Sequence, residues 1–312
     1  KDQLASVEAG SVLGDICAWH RYSAGGELQY QAAQAQYLAD VCGVPLEQVA
    51  GGRCAVGDAL ALLRHSYRFD AQSGIGQLAQ AINQGQSPAL GRLFEQGYAD
   101  IEFNPLSSES YQQLLHQTAT CYSAYLGLVK QSATPDEVLR AYAQVQLLAV
   151  LRQGVYGVEG LNEAVEQQLA RRGLIRRDGL WYEGRPIMIS RNDYQLGLYN
   201  GDIGIAQKDA SGILRVWFEQ ADGPARGVLP SRLPAHETVY AMTVHKSQGS
   251  EFEHVLMVLP GEDSPLLTRE LVYTGVTRAK QRFSLFSKLS TLQAAVKRRT
   301  ERCSGLAEQL WS

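Results

Sequence analysis

The 312-residue chain is 45% hydrophobic and 20% charged, with a net charge of −3 and a pI near 6.1. That balance fits about two ordinary globular domains and excludes collagen-like, disordered and disulfide-scaffold classes. No run of eighteen apolar residues occurs, so no transmembrane helix is expected.

The opening KDQLASVEAG carries neither an initiator Met nor a basic-then-apolar leader, and reads as the start of a piece of something longer. Residues 29–41 (QYQAAQAQYLADV) read as helix, ended by Val44-Pro45. A second apolar stretch, Ala55 to Leu63, runs into Arg64-His65-Ser66-Tyr67-Arg68-Phe69. Ile75, Leu78 and Ile82 then fall at helical spacing. Residues 109–130 and 135–146 are longer helical patterns; the second opens on Thr134-Pro135-Asp136-Glu137, a cap, a proline and first-turn acids. VQLLAVL (145–151), a glycine turn and the helical GLNEAVEQQLARR form a strand–turn–helix unit of α/β type. PIMIS (186–190) is a further short apolar run in that series. Between Gly197 and Leu233, three β-rich pieces separated by DASG and ADG turns predict a small antiparallel barrel. The apolar runs VYAMTVHK (239–246), HVLMVLP (254–260) and RFSLFS (282–287) then restore the α/β texture.

Charge is uneven along this order. Residues 1–150 carry 8 Lys/Arg against 14 Asp/Glu, and residues 151–312 carry 21 against 18. An acidic average therefore does not exclude a basic groove, and no partner class follows from it. Cys17, Cys42, Cys54, Cys121 and Cys303 form no Cys-x-x-Cys pair, and the six histidines are equally dispersed. Neither a zinc site nor a disulfide framework is expected, and free thiols fit a reducing cytoplasm. The clusters Arg171-Arg172/Arg176-Arg177 and Lys297-Arg298-Arg299/Arg302 read either as DNA-backbone contacts or as solvated charge, the second as a solvated tail.

Two strings carry chemistry. In TVYAMTVHKSQGSEFEHVLMVLP (238–260), a buried strand delivers Thr243, His245 and Ser247 to its carboxyl end, and Gln248-Gly249-Ser250-Glu251 makes a tight polar turn. Carboxyl ends of strands in open α/β sheets are where ligands bind, and hydroxyls, an imidazole and a glycine suit a phosphate held close to backbone. In LVYTGVTRAK (271–280), Leu271, Val272 and Val276 make an apolar helix face, with Tyr273, Thr274, Thr277 and Arg278 along the other side. A permanently charged guanidinium so placed suits the charge developing on a transferred phosphoryl group.

Together these strings resemble motifs V and VI of superfamily 1 helicases, and RHSYRF (64–69) then resembles motif IV. DQLASVEAGSVLGDI at the start is similar to motif III of the RecD family, the α subunits of exodeoxyribonuclease V, and LRQGVYGVEGLN is also RecD-like. The resemblance implies a RecA-like P-loop NTPase helicase lobe, a parallel sheet with helices on both faces, carrying a small SH3-like β-barrel insert beside the remnant of a first lobe. Its boundaries would be 1–65 for the remnant, 66–196 and 236–312 for the second motor domain, and 197–235 for the insert. The resemblance implies that Arg278, Arg68 and Gln3 serve hydrolysis, that Gly249, Glu251 and Gln248 line the nucleotide, and that Thr243, His245 and Ser247 meet DNA. It implies ATP with Mg2+ as cofactor, and single-stranded DNA, RecB and RecC as partners in a cytoplasmic repair complex moving 5′→3′. No G-x-x-x-x-G-K-[ST] loop and no apolar strand ending in Asp-Glu is present, so the 312 residues alone are expected not to hydrolyse ATP. A stand-alone RecD-like helicase, or a module that only binds DNA or a partner, are the competing readings. Trp217 and Phe218 offer either stacking faces or barrel core, with core favoured.

Overall fold

The computed structural model describes residues 12–22, 27–43, 51, 54–62, 70, 72–300 and 305–311. They form two compact units, one of residues 1–68 with 299–312 and one of residues 69–298.

The smaller unit holds four short helices, α1 (Val12–Ile16), α2 (Trp19–Tyr22), α3 (Ala32–Cys42) and α4 (Ala55–Asp58), and the chain's last helix, α12 (Leu306–Trp311). Its core is Ala18, Trp19, Leu28, Ala307 and Trp311. The Trp311 indole donates to the Asp15 carbonyl at 3.1 Å and the Cys54 thiol to the Leu310 carbonyl at 2.9 Å. The C-terminal residues thus complete the core of the N-terminal unit.

The larger unit opens on α5 (Gly74–Gln84), where Ile75, Leu78 and Ile82 all face the core as their spacing requires, and α6 (Ala89–Glu95). Then follow β1 (Ile101–Pro105), α7 (Ser108–Lys130), α8 (Pro135–Tyr142), β2 (Val145–Ala149) and α9 (Val158–Arg171). Thr134 and Glu137 close the capping box of α8, with Pro135 at its first turn. After β3 (Pro186–Ile189), β4 (Ile203–Lys208), β5 (Leu214–Phe218), β6 (Arg226–Val228) and β7 (His236–Thr238), the chain returns through β8 (Ala241–Thr243), β9 (Phe252–Val258), α10 (Arg269–Val276), β10 (Ala279–Ser287) and α11 (Leu289–Lys297).

Two five-stranded sheets result. The first runs β1-β10-β9-β2-β8 with every neighbouring pair parallel. Helices α7 and α9 pack against it, as do α5, α6 and α10, with α8 laid on α7 and α11 on α10, which is the α/β arrangement expected. Strand β1 was not foreseen, because Glu102 and Asn104 break the apolar run that marks a parallel strand; as an edge strand it tolerates them. The second sheet runs β6-β5-β4-β3-β7 with antiparallel pairs. PIMIS, read as part of the α/β series, belongs here as β3: all four of its residues are buried, so its apolar run looks like a parallel strand. The strand pairing is open, and the closure expected of an SH3-like barrel is not seen in it.

Five tyrosines tie the second sheet to the helices of the first. The Tyr125 hydroxyl donates to the Gly184 carbonyl at 2.9 Å and Tyr122 to the Tyr240 carbonyl at 2.7 Å. Tyr142 donates to the Val239 carbonyl and Tyr182 to the Glu166 carboxylate, while the Tyr182 and Tyr240 hydroxyls lie 3.2 Å apart. Burial pushes all five phenols up, so they remain donors at any ordinary pH. The clamp grips both ends of the inserted sheet, residues 182–184 and 239–240, directly before β8.

Candidate functional site

β8 is an edge strand, and Asn162 of α9 satisfies its free side. The Ala241 amide donates to the Asn162 side-chain oxygen at 2.9 Å, and the Asn162 amide donates to the Ala241 carbonyl at 3.1 Å. From this anchored strand the chain enters a tight turn at the carboxyl end of the sheet. The Lys246 and Ser247 amides both donate to the Thr243 carbonyl, at 3.0 and 3.2 Å, and the Ser250 amide to the Ser247 carbonyl at 3.1 Å. Gly249 sits at φ +85°, a conformation that L side chains rarely adopt, which explains the glycine.

The turn sorts the expected residues. Ser247 is fully buried and its hydroxyl donates to the Val244 carbonyl at 2.8 Å, so it holds the turn's shape. Thr243 and His245 are half-buried, whereas Gln248, Gly249 and Glu251 are exposed. The Thr243 hydroxyl accepts from the Lys246 amide at 3.3 Å.

Arg278 meets this turn from the other string. Thr268 caps α10, and the helix runs out at Thr277, which leaves Arg278 just past its C-terminus. Arg278 is 2% exposed; its Nε donates to the Thr274 carbonyl at 3.2 Å and its Nη1 to the Ser250 carbonyl at 3.0 Å. The Phe252 amide donates to the Arg278 carbonyl at 2.9 Å, so the two strings are also zipped by backbone. The even division of α10 into an apolar and a polar face does not hold, since Thr274, Thr277 and Arg278 are as buried as Leu271, Val272 and Val276. Helix α10 is covered by α5 and α11 as well as by β9 and β10, so it has almost no outer face. Gly275 allows this: a Cβ there would lie 2.6 Å from the Met257 sulfur.

Glu251 and Glu253 flank Lys280 at 3.7 and 3.8 Å. No group of three His, Cys, Asp or Glu able to hold a metal lies together among the described residues. The described residues bring a buried guanidinium and an exposed glycine turn into contact. Arg68 and Gln3 lie outside the described residues.

Other expected contacts resolve differently. Phe218 is buried in the insert core with Val216 and Ala206, while Trp217 is half-buried on the opposite face, its indole donating to the Gln207 carbonyl at 3.0 Å. Trp217 and Trp181 line a cavity of about 1180 Å3 between the insert and the ends of α7 and α9. Tyr182 is buried, and Trp181, half-buried against the insert core, carries the Arg185 guanidinium at 4.7 Å. Arg172 bonds the Thr120 hydroxyl at 2.9 Å, and Arg177 pairs with Glu166 and Arg176 with Asp178, both at 3.6 Å, while all four arginines of the cluster stay exposed. Arg298 is not part of a loose tail either, for it pairs with Asp263 at 2.7 Å and donates to the Ser264 carbonyl at 2.6 Å.

Sequence reasoning missed one link. The Lys246 ammonium donates to the Asn200 side-chain oxygen at 2.7 Å, joining the turn after β8 to a loop of the inserted sheet. Only a contact across 46 positions carries it, and no local pattern announces it.

Residues 238–285, which contain both strings, match the UvrD-like helicase C-terminal domain. The chain is 38% identical to "RecBCD enzyme subunit RecD" of Haemophilus influenzae over 99% of its own length and 49% of that protein's. It is 36% identical to the protein of that name from Mycobacterium tuberculosis, over all of the chain and 48% of the relative. To "ATP-dependent RecD2 DNA helicase" of Deinococcus radiodurans it is 34% identical, over 80% of the chain and 32% of the relative. The chain spans about half the length of the curated RecD relatives it matches, and it corresponds to their C-terminal part.

Proposed function

We propose that the chain is the C-terminal motor portion of a 5′→3′ ATP-dependent DNA helicase subunit of the RecBCD, or exodeoxyribonuclease V, type, acting in the cytoplasm in double-strand break repair. The match to RecD along the whole chain supports the family reading. The single structural observation that carries it is the 3.0 Å bond from Arg278 to the Ser250 carbonyl, which joins the two motif-like strings in one site.

In this reading Arg278, with Arg68 and Gln3, answers the charge on the terminal phosphate of ATP, and the Gln248-Gly249-Glu251 turn lies against the nucleotide. ATP supplies the phosphoanhydride whose cleavage drives the cycle; its magnesium ion would be held by residues other than those described. Because Arg278 also holds the turn that begins at Thr243 and His245, a change at the nucleotide is passed to the residues that meet single-stranded DNA. Ser247 acts by shaping that turn. Residues 1–65, joined by 299–312, belong to a first motor lobe and 66–185 with 239–298 to the second, and the insert, read from the sequence as 197–235, widens to 186–238 because β3 and β7 pair into its sheet. RecB and RecC are the proposed protein partners.

The test is DNA-stimulated ATP hydrolysis by the full-length protein, purified with and without RecB and RecC. Robust turnover that falls about a thousandfold in Arg278→Ala, with nucleotide binding retained, is expected. Near-normal turnover in that variant removes Arg278 from the reaction. The 312 residues alone are expected to bind DNA weakly, with affinity falling as salt rises, and to hydrolyse nothing. The similarity to RecD2 supports a second reading, a helicase that works without RecB and RecC, which full activity of the protein alone would favour.

A further inference from the structure

The loop between β3 and β4 is fixed from within, yet it holds two large aromatic rings out in water. Its pairing is specific: the Asp193 amide donates to the Leu198 carbonyl at 2.7 Å and the Leu198 amide returns to Asp193 at 3.0 Å. The Asp193 carboxylate accepts from the amides of Gln195 and Leu196, at 3.0 and 2.9 Å, and Asp202 accepts from the Tyr199 amide at 2.7 Å. Leu196 and Leu198 are anchored in the core of the inserted sheet, and Gly197 between them takes φ +59°. Tyr194 and Tyr199 are left 78% and 49% exposed, in an edge-to-face pair with ring centroids 6.1 Å apart. A loop this well anchored could bury its tyrosines or do without them, so an exposed rigid pair asks for a partner.

The surroundings state the partner's chemistry. Both carboxylates of the loop are engaged by backbone amides. The exposed cations are Arg191 and Arg226, the latter with its guanidinium beside Gly197. Asn200 of the same loop receives Lys246, which ties the aromatic pair to the turn bearing Thr243 and His245. Flat π faces beside exposed cations match unpaired bases on a phosphate backbone.

The geometry points to Tyr194 and Tyr199 as a base-stacking step for single-stranded DNA, placed beside the turn after β8 and coupled to it through the Asn200–Lys246 bond. This inference rests on the DNA-motor reading and names a contact site within it. The platform is sequence-tolerant, because every base has a stackable face, and it holds the strand while the turn shifts with nucleotide state.

The test measures affinity of the full-length protein for a fluorescent oligothymidylate and for an equally long oligonucleotide with abasic sugars. Tyr194→Ala and Tyr199→Ala are each expected to lose about tenfold in affinity for the first and little for the second. Tyr194→Phe, which keeps the face, is expected to bind as the parent does. Photo-crosslinking to 5-iodouracil-substituted DNA, followed by peptide mapping, should place the adduct on Tyr194 or Tyr199 in the unmutated protein. Tight DNA binding that both alanine variants leave unchanged, with no adduct on this loop, overturns the inference and leaves the motor reading standing. No DNA binding by the unmutated protein sinks the motor reading, and this inference with it. Alanine variants that bind DNA normally but lose a protein partner assign the pair to that partner, which also overturns it.

Discussion

The two sheets of the larger unit handle their aromatic and polar residues in opposite ways. In the parallel sheet both faces are covered, so its strands carry mostly apolar side chains inward, with Gln146, Ser284 and Ser287 among the few buried polar ones, and the two motif-like strings meet at the turn beyond β8. In the inserted sheet one face makes the core, and the other face and the loops are free to present rings. Phe218 turns in and Trp217 half out, one residue apart, while Leu196 and Leu198 turn in and Tyr194 and Tyr199 out. The parallel sheet supplies a buried frame that opens only at the turn beyond β8, and the insert supplies exposed surface. Substitutions should therefore damage the first through local structure and the second through binding.

The largest effect is expected at Arg278. Alanine there removes the donor to the Ser250 carbonyl at the base of the turn. Losing this part-buried bond costs about 0.5–1.5 kcal/mol, so the variant should lose some stability as well as the roughly thousandfold in turnover. Arg278→Lys separates the two, since it keeps the charge and one donor. Denaturant melts and turnover measured together check this, and a full-rate lysine variant would make the guanidinium's fork irrelevant.

In the insert, Phe218→Ala should cost about 3–5 kcal/mol and Trp217→Ala less than half of that, because only the first opens a hole in the core. Equal losses by chemical denaturation would erase the contrast between the sheet's two faces. Gly275→Ala is expected to cost about 1–3 kcal/mol by pressing on Met257, and less in a Met257→Ala background, where the sulfur is gone. Additive losses from the two changes would show that the contact at Met257 is not the cause.

Legibility in the sequence follows the same division. Periodicity placed α5, α7, α9 and the strands β2, β8, β9 and β10, because each has one strong pattern and one partner layer. The strings around Gly249 and Arg278 stand out in the sequence, and the bond between them brings them together. Other features had no decisive local signal. β1 is half polar and is a strand only because β10 offers it an edge; β3 is apolar on both sides and could belong to either sheet. The tyrosine clamp and the Lys246–Asn200 bond depend on residues 16 to 118 positions apart. Burial of Thr274, Thr277 and Arg278 was equally hidden, for a helix covered on all sides does not display a stripe.

The smallest expected effect tests how dry the parallel sheet is away from its working edge. His254, on the amino half of β9, has Nε2 at 3.1 Å from the Ser284 hydroxyl and Nδ1 at 3.9 Å from the Cys121 sulfur. Ser284 donates to Glu102 at 3.0 Å, and Arg282 pairs with that carboxylate at 3.2 Å. Burial first, and then the charge of Arg282, push the His254 pKa down from 6.5 to about 4. Burial alone would raise Glu102, but the hydrogen bonds from Ser284 and Arg282 outweigh it and leave the carboxyl below its usual value of 4.5. As pH falls below about 6.5 the unfolded chain takes up a proton on this histidine that the fold refuses. Stability from His254 is thus complete above pH 6.5 and drains away down to about pH 4, whereas the share from Glu102 is lost below pH 4.5. The part between pH 6.5 and 4.5 belongs to His254, and with partial solvent access it amounts to about 1–2 kcal/mol. His254→Gln should flatten the stability curve in that window and leave the lower limb in place. An unchanged slope would mean that water reaches the amino half of β9 as readily as it reaches the exposed turn at Gly249, and the contrast between the sheet's guarded body and its open edge would fail.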